Sequence, residues 1–144
     1  MALVIHLKKS AQVIINGAVL ENASGRSISL AIRNDAAILR GDDIIAPDAA
    51  NTPASRTYYT LQCAYLFVDR RSDYLAQFTD LLDSYLQAAP SAAAIGLGIL
   101  ASIQAGNLYE ALKRAQELIR HEGKVLSYVQ ERLVEELHGD AAAG

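Results

Sequence analysis

Across DDIIAPDAANTP, residues 42–53, the hydrophobic period changes from two to about three and a half. No other feature restricts the fold as much. Before it, Leu3, Ile5 and Leu7 alternate with Val4, His6 and Lys8, the pattern of a strand with one buried face. VII at 13–15 runs into Asn16-Gly17, a pair suited to the positive φ angles of a tight hairpin turn, and AVL follows. Ser24-Gly25 marks a second reversal before SISLAI, where Ile28, Leu30 and Ile32 share a face. After Asn34-Asp35, AAILR at 36–40 reads as a further short strand. An isolated hairpin is marginal in water, so this antiparallel sheet has to pack on the later helices or on a second subunit.

Beyond the change-over the spacing is helical. Thr52 can cap a helix whose first position suits Pro53. Tyr58, Leu61, Ala64, Tyr65 and Val68 then recur on one side, widened by Cys63 and Leu66. A break is expected at Asp69-Arg70-Arg71-Ser72, followed by a second helix marked by Tyr74, Leu75, Phe78, Leu81, Leu82, Tyr85 and Leu86 and closed by Pro90. Ser91 is a candidate cap for a third, in which Ile95, Ile99 and Ile103 repeat and Gly96 and Gly98 admit a close neighbour. Gly106 can stop it. Asn107 with Glu110 is a capping-box-like start for the last helix. Leu108, Leu112, Ala115, Ile119, Leu126, Val129, Leu133 and Leu137 form its apolar stripe, which Gly123 is expected to bend or divide. The fold class is α+β: a small N-terminal antiparallel β-sheet followed by a C-terminal bundle of about four α-helices. The expected division is a β region over 1–50, a helical region over 51–138 and a flexible tail, GDAAAG, over 139–144.

Charge narrows the function classes. The net charge is −3, and charged residues make up 20% of the 144, against 51% hydrophobic. That balance permits a sizeable core and disfavours both a disordered chain and a generic nucleic-acid coat. Residues 1–56 hold six Lys or Arg against five acidic residues, a balance of +1, so residues 57–144 carry −4. The N-terminal part therefore has the better claim on a polyanion. With so few cations, RNA binding would need base or shape contacts beside phosphate attraction. No run approaches the ~18 uninterrupted apolar residues of a membrane helix, and residues 1–7 lack a secretory cleavage pattern. The reading is a cytoplasmic protein with no membrane partner.

Catalytic and metal chemistry is poorly supported. His6, His121 and His138 are widely separated and lack zinc-ligand spacing. Asp42-Asp43 and Glu135-Glu136 are adjacent pairs, which does not make two carboxylates converge on one substrate. Cys63 is unpaired in an apolar stretch and reads as a buried thiol. No nucleophile-elbow sequence is present. The chain is expected to be no enzyme and to need no cofactor. Arg56 stands apart, close to Tyr58 and Tyr59: tyrosine can stack on an unpaired base, and a guanidinium can hold phosphate or a base edge. The ordinary alternative is that Tyr58 enters the core while Tyr59 and Arg56 anchor the junction. Arg26, Ser27, Ser29 and Arg33 can line the polar face or edge of the sheet.

MALVIHLK, IINGAVL, ILR and NTPASRTYYTLQCAYL together resemble the FlbT family of flagellum biosynthesis repressors, most clearly over residues 1–68. The resemblance implies a small β region ahead of a helical one. It also implies a post-transcriptional regulator that restrains flagellin synthesis, associated with the 5′ untranslated region of flagellin mRNA and functionally with the flagellar protein FlaF. Carried onto this chain, it draws attention to His6, Lys8, Arg40, Arg56 and Tyr59 as RNA-binding candidates. Asn16 and Gly17 are expected to shape the turn, and Asn51, Thr52 and Pro53 the linker and helix entrance. Lys9-Ser10-Ala11-Gln12 stands where the family often has a Pro-Gly-Glu-like turn. Two functions follow: a repressor that binds the flagellin mRNA leader, or a flagellar assembly adaptor that docks flagellin or FlaF on the stripe from Leu108 to Leu137. A homo-oligomer is one lawful way to protect the sheet edges.

Overall fold

The computed structural model describes residues 3–143, with the side chains of Asp42 and of 138–143 outside the described set. Five strands come first: β1 (Leu3–Leu7), β2 (Gln12–Ile15), β3 (Ala18–Glu21), β4 (Ile28–Ile32) and β5 (Ile38–Arg40). Four α-helices follow: α1 (Pro53–Leu66), α2 (Arg71–Ala88), α3 (Ala93–Gln104) and α4 (Leu108–Ala143). The chain divides into two compact units, one of Met1–Ala50 with Tyr59–Phe78, the other of Asn51–Tyr58 with Thr79–Gly144. The tail expected at 139–144 falls on residues whose side chains lie outside the described set.

In the first unit the strands form two antiparallel sheets where the sequence suggested one, β1-β4 and β3-β2-β5. The alternation read from the sequence sets the register. Leu3↔Ile32, Ile5↔Leu30 and Leu7↔Ile28 pair on one face of β1-β4, and Ile5, Leu7 and Val13 of β2 make one buried cluster shared by both sheets. Asn16 and Gly17 take φ 51 and 85, the double positive angle of the expected hairpin between β2 and β3. Ala at Gly17 would also bring its Cβ to 3.1 Å from Phe67 Cε1.

What splits the sheet is Asn22, a buried residue just past β3. Its Nδ2 donates to the carbonyls of Leu7 and Lys8, both at 3.1 Å, and of Arg26 at 2.9 Å. Its Oδ1 accepts from Ser24 N and Ser24 Oγ, and its backbone bonds Ser10 and Ala11. One side chain thus ties the β1-β2 connection to the β3-β4 connection, and the chain leaving β3 returns to pair with β1.

Thr52 and Ser55 cap α1 reciprocally, Ser55 N donating to Thr52 Oγ1 at 3.2 Å and Thr52 N to Ser55 Oγ at 2.9 Å. From Thr57 the helix is buried almost all round, with Tyr58, Leu61 and Ala64 at 1% exposure or less, as a core helix should be. Two polar side chains pin it within the first unit. Gln62 Oε1 accepts from Ile45 N and Gln62 Nε2 donates to Ile45 O, while the Tyr65 hydroxyl accepts from Ile38 N and donates to Ile38 O. Burying a side chain such as Leu61 is worth roughly 1.5–3 kcal/mol and each hydrogen bond about 1 kcal/mol. Apolar burial therefore supplies the stability, and the hydrogen bonds set the register.

Several expectations change here. Val68 lies outside the apolar arc: Phe67 leaves helical geometry at φ −110, ψ 85, and Val68 is 60% exposed. Arg71 closes α1 by donating from Nε to Ala64 O and from Nη2 to Tyr65 O. Ser91 makes no cap for α3; its Oγ lies 2.8 Å from His121 Nε2. Gly123 does not divide α4. Gly96 performs as expected, since a Cβ there would lie 2.6 Å from Leu86 Cδ1. The helix stop also holds: Asn107 N donates to Ser102 O and Gly106 N to Ile103 O, a Schellman closure. Glu110 N then donates to Asn107 Oδ1, the expected start of α4.

Replacing Asn22 by Ala removes at once the partner of the buried Leu7 carbonyl and of the part-buried Lys8 and Arg26 carbonyls and Ser24 N–H. We expect Asn22→Ala to lower unfolding free energy by about 2–3 kcal/mol, read from urea denaturation, with Ser24→Ala costing less than half as much.

Candidate functional site

The residues singled out by sequence are divided between the two units. His6 points from the outer face of β1, exposed, with Nδ1 2.8 Å from Oγ of its cross-strand partner Ser29. Lys8 follows on the same strand end, exposed, its carbonyl held by Asn22. Arg40 ends β5 on the other sheet, opposite Val13, with an exposed side chain. Arg26, Ser27 and Arg33 are exposed as well. Asn51 is exposed ahead of α1, with Thr52 and Pro53 forming the helix entrance. The Asn16 side chain works within the fold, its Oδ1 accepting from Ala37 N at 2.9 Å.

Arg56 is exposed on the first turn of α1 and, in the second unit, lines a cleft of about 290 Å³ with Pro53, Leu81 and Tyr85. Tyr58 enters the core and Tyr59 is half-buried. Burial, then a hydrogen bond with Cys63, pushes the Tyr59 hydroxyl up. Burial likewise pushes the Cys63 thiol up, so its thiolate is scarce and the residue is a packing group.

Polar groups of the second unit serve its packing. Tyr85 Oη lies 2.9 Å from His121 Nδ1, and Glu122 Oε2 accepts from Ala54 N at 2.9 Å, setting a carboxylate at the positive end of α1. Burial, then the Glu122 charge, pushes the Tyr85 hydroxyl up. Among the described residues no group of three or more His, Cys, Asp or Glu side chains is placed to hold a metal ion. Nor is any described helix long and apolar enough to cross a membrane.

Two features escaped the sequence reading. One is a cleft of about 600 Å³ in the first unit, where the break between α1 and α2 meets the β2-β3 turn. Phe67, 44% exposed, and Tyr74 have ring centroids 6.2 Å apart, and the Arg70 guanidinium stands 5.6 Å from the Tyr74 centroid. Asp69 and Asn16 complete the rim. The available signal was two aromatics bracketing a charged helix break, which read only as a break. The other is the division of the α4 stripe, which is buried at Leu112 and Ala115, half-buried at Ile119 and then open. Leu126 and Leu133 are more than half exposed, and Val129 and Leu137 also face out. The stripe is two surfaces of different use.

A family model described as flagellar protein FlbT matches residues 3–126. The chain is 35% identical over 125 residues to a Bradyrhizobium diazoefficiens protein named probable flagellum biosynthesis repressor protein FlbT 1, covering 87% of this chain and 85% of that one. It is 34% identical over 127 residues to a Rhodopseudomonas palustris protein named probable flagellum biosynthesis repressor protein FlbT, covering 88% and 99%. The Caulobacter vibrioides flagellum biosynthesis repressor protein FlbT is 28% identical over 131 residues, covering 90% and 92%. No solved structure matches the chain.

Cys63, Tyr59 and Tyr85 are all held in their neutral forms by burial, so the folded chain keeps these protons longer than the unfolded one. Their contribution is intact below the ordinary thiol and phenol range, about pH 8.5–10, and is lost as pH rises through it and through the higher folded values. Urea midpoints should thus fall as pH rises from about 8 to 10.5, and Tyr59→Phe should flatten that fall.

Proposed function

The chain belongs to the FlbT family of flagellar proteins, and from that membership we propose that it is a repressor of flagellum biosynthesis acting on messenger RNA. On this reading it binds the 5′ untranslated region of flagellin mRNA in the cytoplasm and limits translation or promotes decay, without catalysis or a cofactor of its own. The supporting observation is that the cations of the strand region, Lys8 just past β1 and Arg40 as the last residue of β5, stand exposed at the ends of short strands packed on a buried cluster. Rigid strands present such groups at low entropic cost, and a flexible leader can reach them. His6, Arg56 and Tyr59 are the further contacts of this reading. The overall charge of −3 limits the number of phosphate contacts, so exposed bases must supply selectivity.

A second reading has its own observation. The open half of α4, from Leu126 to Leu137, leaves a large apolar stripe in solvent, and such a stripe suits a helix-in-groove or helix-on-helix contact. In this reading the protein is an assembly adaptor that meets flagellin or the regulator FlaF and affects flagellin messages indirectly.

Two measurements separate these readings. A flagellin leader should bind more tightly than a length-matched control RNA at physiological salt. Lys8→Ala and Arg40→Ala should each weaken binding about fivefold and make the slope of log affinity against log salt shallower by roughly 0.7, the share of one neutralised phosphate. Equal weak binding to both RNAs, indifferent to these changes, overturns the first reading. For the second, a flagellar protein should co-purify after RNase treatment and be lost with Leu126→Ser/Leu133→Ser; no such partner would reject it.

A further inference from the structure

The cleft at the α1-α2 break has the parts of a base pocket. Phe67 and Val68 are adjacent apolar residues at 44% and 60% exposure, an unfavourable arrangement for a helix end with no other use. The chain holds them there: Phe67 leaves helical backbone, Arg71 caps the carbonyls of Ala64 and Tyr65, and the β2-β3 turn packs against the Phe67 ring at Gly17. The result is a fixed wall with an aromatic ring on either side of a charged turn, and Arg70 already lies over one ring.

We infer that this cleft takes a single unpaired guanine base, stacked against Phe67 and the Arg70-Tyr74 pair with its donor edge on Asp69. Planar bases stack on aromatic rings and on guanidinium planes alike. The Asp69 carboxylate accepts only, and guanine is the base that offers two neighbouring donors, N1–H and the N2 amino group, to one carboxylate. Uracil offers a single donor between two carbonyl oxygens, which the carboxylate repels. Asp69 also repels phosphate, so the cleft reads a base and leaves the backbone to cations elsewhere. This inference rests on the RNA-binding reading and adds to it the site and identity of one recognised base; none of its residues is among the cationic candidates of that reading.

The test uses the full chain and three single-stranded heptaribonucleotides: all-uridine, and uridine with one central guanosine or one central adenosine. The guanosine oligomer should bind at least tenfold more tightly than all-uridine. Phe67→Leu and Tyr74→Leu should remove most of that advantage. Asp69→Asn, a change on an exposed turn, should bring guanosine and adenosine within about twofold of each other while the melting temperature stays put. Lys8→Ala should weaken all three oligomers by a common factor and leave the preference intact. If guanosine has no advantage, or the three cleft variants leave it unchanged while Lys8→Ala still weakens binding, the cleft assignment is overturned and the RNA reading stands. If neither the oligomers nor the flagellin leader bind, both fall together. Loss of an RNase-resistant protein partner on Tyr74→Leu, with RNA binding unchanged, would assign the cleft to protein contact and also overturn the inference.

Discussion

Asn22 carries more of the strand region than its place outside any strand suggests. Short strands of three to five residues cannot bury enough surface to hold themselves together, and here five are divided between two sheets. Their shared core of Ile5, Leu7 and Val13 exists only if the chain folds back correctly at both connections. Asn22 secures both with one amide, because three carbonyls converge on its two N–H bonds and its oxygen takes Ser24. An apolar residue there would leave the buried Leu7 carbonyl unpaired and untie the other two, and a charged one would bury its charge.

From that constraint follow the orientations that matter for function. With one face of β1 committed to the core, His6 must point the other way, and Lys8 stands exposed beyond the strand end. Within the same unit α1 is held by two bidentate side chains, Gln62 on Ile45 and Tyr65 on Ile38, so the helix end is delivered to a defined place. There Phe67 breaks from the helix against the β2-β3 turn. The outward His6 and the aromatic cleft are thus products of the same packing, one set by strand alternation and the other by a helix that stops just before Phe67.

Much of this was legible in the linear chain. Alternation located β1 and β4, short apolar runs between turn signals located β2, β3 and β5, Asn16-Gly17 located the hairpin, and Thr52-Pro53 and Asn107 with Glu110 located two helix starts, because each depends on residues within a few positions of one another. Family kinship was also readable, from four short segments in the first 68 residues. Less legible was the use of each side chain. Ser91 looked like a cap by position, yet His121, thirty residues on, takes its hydroxyl. Glu122 caps α1 from 68 residues away, and nothing local announces it. Val68 fitted the helical period, but the period does not register that Phe67 leaves the helix.

The α4 stripe separates the two kinds of information best. Its spacing is continuous from Leu108 to Leu137, and spacing alone says that one face is apolar, since side chains 3.6 residues apart share a side of any helix. Whether that face is covered depends on what else the chain places beside it. Leu112 and Ala115 are buried, and Leu126 and Leu133 are not, although the repeat is the same. Periodicity is a property of one segment and was written in the chain from the start. Burial, the split into two sheets and the meeting of Phe67 with Gly17 are relations between segments far apart in sequence, and only the folded chain brings those segments within reach of each other.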